Sequence, residues 1–269
     1  MSERTGPAAA ASGVVVSRHG EHVVEVMLDR PQALNAISTS MAHELIAAMH
    51  ELARDDGTRA VVLSSSSGRA FCVGADLKER ADFSDDDLLR QRPVIREMFA
   101  SVRELPMPAI AAVEGFALGG GFELALSCDV IVADSTAVFG LTEVTVGLVP
   151  GGGGTQLLAR RVGGGAASEL VLSGRTVDAD EAARRGLVDR LVAKGRARQE
   201  ALALADAVAA NSPIAVRAAK RALRATLGGD IKSGLDVEDA AWHAVAVSDD
   251  RREGIAAFTE KRKPIWPAR

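Results

Sequence analysis

Aromatic side chains make up only 3% of this 269-residue chain, and its formal net charge is −4. Without stacking platforms or a basic stripe, the composition argues against an RNA binder, a general nucleic-acid binder or an anionic-membrane binder. Cysteine is scarce as well. Cys72 and Cys128 stand far apart with no CxxC or Cys/His spacing, which argues against a zinc site or a disulfide framework. They read as reduced, buried small residues of a cytoplasmic protein. The opening "MSERTGPAAAASG" has no apolar stretch of signal-peptide type, so residues 1–12 read as a disordered tail. The most apolar region, Ala109 to Ala133, is broken by Glu114, Glu123 and Asp129 and is no membrane span.

The familiar cofactor and nucleophile signatures are missing too. Neither "GGG" (Gly119–Gly121) nor "GGGG" (Gly151–Gly154) completes a GxGxxG, and there is no GxxxxGK[ST] and no GxSxG. The five histidines (His19, His22, His43, His50, His243) form no HExxH, and the seven-residue gap between His43 and His50 suits a metal poorly. No metal site is expected.

What is present is a soluble α/β pattern, 47% apolar and 25% charged. "VVVSRHGEHVVEVMLDRP" predicts a hairpin, and "ISTSMAHELIAAMHELARDD" a helix capped by Ser38 or Ser40. "RAVVLSSSS" predicts a strand, with "GRAFCVGADLKER" as the loop after it. The stretch from Asp82 to Pro108 reads as helical, with Pro93 near a start or kink. Strands follow in "AIAAVEG", "DVIVAD" and "AVFG". The remainder is helical apart from the strand "LVDRLV". Strands early and helices late predict an α/β core over residues 13–200 and a helical region over 201–269.

Two loops and two acids could carry chemistry. In "AFCVGADLKE", Gly74 and Ala75 follow a strand and precede a helix; in "ALGGGFE", the glycines hold the same kind of position. Amides at a helix start have no intrahelical acceptor and can answer developing negative charge, although the glycines could equally serve only a tight turn. Glu123 falls in the first turn of the second helix, and Glu143 lies twenty residues on, also among apolar neighbours. Such acids gain raised pKa values suited to proton transfer and could hold one water between them.

At these residues the chain closely resembles the enoyl-CoA hydratase (crotonase) family, over about Val14 to Lys263. The matching runs are "DRPQALNAIS", "GRAFCVGADLKE", "PAIAAVEGFALGGGFELALSCDVIVAD", "FGLTEVTVGLVPGGGGTQLL", "SGRTVDADEAARRGLVDRLV" and "DDRREGIAAFTEKRKP". The resemblance implies a spiral core of repeated ββα units with C-terminal helices that form a homotrimer, trimers often pairing as hexamers. It implies an acyl-CoA thioester as substrate and no separate cofactor, CoA being part of that substrate.

By matching motifs, the oxyanion donors would be the N–H groups of Ala75 and Gly120. Glu123 would orient and deprotonate water, and Glu143 would deliver a proton to C2, giving syn hydration of a trans-2-enoyl-CoA. CoA binding would fall to Ala33 and Ala36 of "ALNA", to Ala75, Asp76, Leu77 and Lys78 of "ADLK", and to Phe258 and Lys261 from the C-terminal segment of the same or a neighbouring subunit. A basic cluster of Arg251, Arg252, Lys261, Arg262 and Lys263 would attract phosphate. Residues 79–102 would shape the acyl tunnel. The chain departs from the family pattern at Gln32, Phe122, Thr142 and Leu157. Other readings on the same fold are double-bond isomerisation, methylglutaconyl-CoA hydration and non-catalytic acyl-CoA binding.

Overall fold

Two β-branched runs, β1 (Val14–His19) and β2 (Val23–Leu28), pair antiparallel as the expected hairpin, turning at Gly20 with φ +63°. They open a computed structural model that describes residues 13–226 and 230–269; the tail expected over residues 1–12 lies outside them. Helix α1 (Thr39–Arg54) comes next, and Ser38 is the cap, its side chain accepting from the Met41 amide at 3.2 Å. Met41, Leu45, Met49 and Leu52 form its buried stripe. Each such side chain contributes roughly 1.5–3 kcal/mol by leaving water.

The next stretches repeat one plan. Strand β3 (Ala60–Ser65) is followed by β4 (Ala70–Cys72) and the helices α2 (Leu77–Ala81) and α3 (Asp85–Arg103). Strand β5 (Ala109–Val113) is followed by β6 (Phe116–Leu118) and α4 (Gly120–Ser127). Strand β7 (Val130–Asp134) is followed by β8 (Val138–Gly140), a 3₁₀ turn at Glu143–Val146, α5 (Gly154–Val162) and α6 (Gly164–Ser173). The chain then runs through β9 (Val177–Asp178), α7 (Ala179–Arg184) and β10 (Arg190–Val192) into α8 (Ala197–Ala209), α9 (Pro213–Thr226), α10 (Ile231–Ala246) and α11 (Asp249–Glu260).

In each repeat the first strand joins a six-stranded sheet, ordered β1-β2-β3-β5-β7-β10, and the second joins a four-stranded sheet, ordered β4-β6-β8-β9. Within the repeats all pairings are parallel. This is the ββα spiral that the resemblance implied.

Two local expectations need correcting. The stretch "GRAFCVGADLKER" is not all loop, because Ala70, Phe71 and Cys72 are fully buried as β4 and Leu77–Ala81 is helical. A three-residue strand is too short to show a period in sequence. Pro93 lies inside α3 rather than near its start, which is fixed upstream by a Ser84/Asp87 capping box.

Helix α8 presents Ala197, Ala201, Ala205 and Ala209, one turn apart, to Val62, Ile110 and Val132 of the six-stranded sheet. The expected boundary near residue 200 therefore falls within a helix that covers this sheet. Further along, Lys220 of α9 donates to the Met107 carbonyl at 2.7 Å and pairs with Asp129 at 2.8 Å, beside an Arg224–Asp129 pair at 2.7 Å. These buried and half-buried bonds tie the helical region to the α/β core. Among the described residues no helix is long and apolar enough to cross a membrane.

Candidate active site

The turn after β4 and the turn after β6 lock together. Gly74 has φ +89°, and a Cβ there would sit 2.9 Å from the Leu118 carbonyl oxygen and 3.1 Å from the Gly120 nitrogen. A Cβ on Gly121 would lie 2.0 Å from the Cys72 carbonyl oxygen. Close approach, rather than turn freedom alone, is what demands glycine here.

The interlock brings the turn that carries Ala75 against the start of α4. Ile37 donates to the Gly74 carbonyl at 2.7 Å and accepts from the Asp76 amide at 3.0 Å, so this parallel bridge turns the N–H of Ala75 to the opposite side. Gly120 is the first residue of α4, where an amide has no intrahelical acceptor. The loop that carries Ile37 is itself fixed by Asn35, fully buried, whose side chain accepts from the Arg30 amide at 2.7 Å and donates to Ser65 at 2.7 Å.

Glu123 sits one turn into α4 and is only 3% exposed. Its Oε1 accepts from the amides of Gly152 at 2.6 Å and Gly154 at 2.8 Å. Burial pushes its carboxyl above the ordinary range, while the amides of Gly151, Gly152 and Gly154 and the charge of Arg92 pull it back. Glu143 opens the 3₁₀ turn, and its Oε1 rests against Gly119, where a Cβ would lie 3.1 Å away. Burial, with a contribution from the charge of Glu123, pushes its pKa up to about 7. Its Oε2 is buried with no hydrogen-bond partner among the described residues. One acid is anchored by the amides of a second element; the other has only its own amide.

Both carboxyls, Ala75 and Gly120 line one cavity of about 420 Å³, together with Ile37, Val73, Leu77, Ile95 and Phe99. Leu88, Arg92, Ile95 and Phe99 recur at helical spacing on α3, so part of the segment expected to shape an acyl tunnel does face the cavity. Of the other residues predicted from sequence, Ala33, Ala36, Asp76, Lys78, Phe258 and Lys261 are not among its lining. Asp76 caps α2, accepting from the Lys78 and Glu79 amides, and pairs with Arg30 at 3.0 Å. Phe258 on α11 is 87% exposed. Within the basic cluster, Arg252 pairs with Asp249, and Arg262 with Glu253 and Glu260. That leaves Arg251, Lys261 and Lys263 as the cluster's uncompensated charges among the described residues.

The cradle formed by Gly151–Gly154 was not foreseen, because its target, Glu123, lies on another element. Arg80 and Arg92 were missed as well, although Arg92 falls four residues after Leu88 and three before Ile95, a legible signal. Cys72 and Cys128 are buried, which pushes both thiols up to about 12 and leaves them un-ionised near neutrality. Among the described residues no group of three or more His, Cys, Asp or Glu side chains could hold a metal ion.

The sequence profile of the Enoyl-CoA hydratase/isomerase family matches residues 18–269. Enoyl-CoA hydratase domain-containing protein 2 of Homo sapiens, a mitochondrial protein, is 42% identical over 90% of this chain and 84% of its own length. An enoyl-CoA isomerase/hydratase of Zymoseptoria tritici is 39% identical over 93% of this chain and 85% of its own. The crystal structure of enoyl-CoA hydratase from Bacillus anthracis superposes with a TM-score of 0.94 at 40% identity, covering 96% of this chain and 100% of that one.

Proposed function

The chain belongs to the enoyl-CoA hydratase/isomerase family, and on that premise we propose that it hydrates trans-2-enoyl-CoA thioesters to 3-hydroxyacyl-CoA. The observation that carries this reading is the pair Glu123 and Glu143, facing one cavity beside the turn amides of Ala75 and Gly120. The thioester oxygen accepts from those two N–H groups, which draws electrons from the C2–C3 double bond. Water, held by Glu123, adds its oxygen to C3 and gives a proton to the Glu123 carboxylate. The π electrons pass to an enolate at the thioester oxygen, and C2 then takes the proton of Glu143. Glu123 ends protonated and Glu143 ionised, and one proton exchanged with solvent resets the pair.

The environments support this division of labour. A carboxyl with a pKa of about 7 is a ready proton donor at neutral pH. A carboxylate with one oxygen fixed by two amides keeps the other free to hold water.

In solution we expect a cytoplasmic homotrimer or a hexamer of two trimers. This reading is supported by the exposed apolar residues Ile231, Leu235 and Trp242 on α10 and by the exposed Phe258, which with Lys261 would meet CoA across the interface. The deciding assay is loss of the conjugated thioester absorbance when crotonyl-CoA is added. No loss with crotonyl-CoA, together with a gain of absorbance from a 3-enoyl-CoA, would make the chain an isomerase instead.

A further inference from the structure

We propose that the acyl end of the cavity holds an anion, so that this chain's thioesters carry a carboxylate on the acyl group, clasped by Arg80 and Arg92. The proposal deepens the reading above and rests on it. A cavity that takes only hydrocarbon needs apolar walls throughout, and Ile37, Val73, Ile95 and Phe99 provide them. The two guanidinium groups break that lining.

Arg92 stands on the same face of α3 as Leu88 and Ile95, at the exposed outer wall, and Arg80 reaches in half-buried from the end of α2. Neither forms an ion pair among the described residues. Arg80 gives its Nε to Gln91 Oε1 at 3.0 Å, and Arg92 gives Nη2 to the Gly151 carbonyl at 2.7 Å. Glu79 is the carboxylate neighbouring Arg80, but its oxygens accept from the Thr39 amide at 2.9 and 3.1 Å, at the start of α1. Burial and the charge of Arg92 work against the charge on Arg80, and the charge of Glu79 offsets them only in part.

Two like charges facing one cavity are relieved by a carboxylate between them, and the guanidinium fork suits that group in a bidentate manner. The site lies close to the chemistry. Arg92 is anchored on Gly151, whose neighbour Gly152 holds Glu123. The acyl group should therefore be short. A phosphate of the CoA portion is the other anion that could be held there.

Binding of saturated, unreactive thioesters separates these possibilities without turnover. By calorimetry on the full chain, glutaryl-CoA should bind about tenfold or more tightly than pentanoyl-CoA, the usual range for a charge-assisted contact. In Arg80→Met and Arg92→Met that preference should fall to within about twofold, and Arg92→Lys should keep part of it. Equal affinities in the unaltered chain would overturn the proposal, whatever the variants do and whether or not they fold. Loss of affinity for CoA itself and for both thioesters alike would overturn it too, assigning the arginines to phosphate. If the glutaryl preference holds but neither glutaconyl-CoA nor pent-2-enoyl-CoA is hydrated, the hydratase reading fails and the anion site stands. If both are hydrated with no preference in binding, the reverse holds.

Discussion

Glu123 and Glu143 are the same residue type in one cavity, yet their surroundings are built on opposite principles. Glu123 is held between a helix start and a glycine loop, two backbone amides fixing one oxygen. Glu143 begins a single 3₁₀ turn; Val146 at its end and Leu148 and Val149 just beyond it are exposed. Burial raises the proton affinity of both, but only Glu123 is given donors from a second element that favour its charged form. Desolvation alone would make two similar acids. The four glycines after Pro150 divide them into a carboxylate that stays in place and a carboxyl that keeps its proton longer.

Removing either charge breaks the comparison most severely. Glu123→Gln and Glu143→Gln should each lower kcat for hydration about a hundredfold to ten-thousandfold, the usual worth of a positioned acid or base. The glutamine at 123 can still accept from Gly152 and Gly154, so Glu123→Gln should keep its thermal stability. Full activity in either variant would end that residue's assignment.

Smaller losses should come from moving the acids without deleting them. In Gly154→Ala the new methyl would lie 2.9 Å from Glu123 Oε1 and 2.9 Å from Leu141, so it disturbs both the cradle and the core. In Gly119→Ala it would lie 3.1 Å from Glu143 Oε1, at a φ of +49° that a side chain adopts at a cost. Both should reduce kcat by about tenfold or more and lower the melting temperature, each by about 1–3 kcal/mol of stability. The comparison sharpens if the hydration pH profile shifts in Gly119→Ala, where the acid raised to about 7 is touched, more than in Gly154→Ala.

The sequence made one half of this arrangement more legible than the other. Strand-to-helix turns at Gly74–Ala75 and Gly119–Gly121 have local signatures, and an acid in a first helical turn is visible from spacing. β-branched runs and the stripe of α1 likewise announced most of the elements. Strand β4 was hidden because three residues carry no period, and its pairing with β6 is decided by burial. The cradle of Glu123 was hidden for a different reason. A backbone amide donates whatever its side chain, so "GGGG" marks a flexible loop and says nothing of an acid 29 residues earlier. That the glutamates meet at all depends on the winding of the spiral, which no local pattern encodes.

The last contrast isolates Glu143 through stability rather than rate. Its pKa in the folded chain is about 7 against an ordinary value of 4.5, so the folded state binds this proton more tightly than the unfolded state does. The stability it contributes is therefore fully present below pH about 4.5 and is lost as pH rises through about 7. Glu143→Gln cannot ionise and should be nearly indifferent across that window. The unaltered chain should thus lose more stability than Glu143→Gln between these two pH values, read as melting temperature or denaturant midpoint. Parallel curves for the two proteins would mean that Glu143 is solvated like an ordinary carboxylate, and the contrast with Glu123 would then lie in geometry alone.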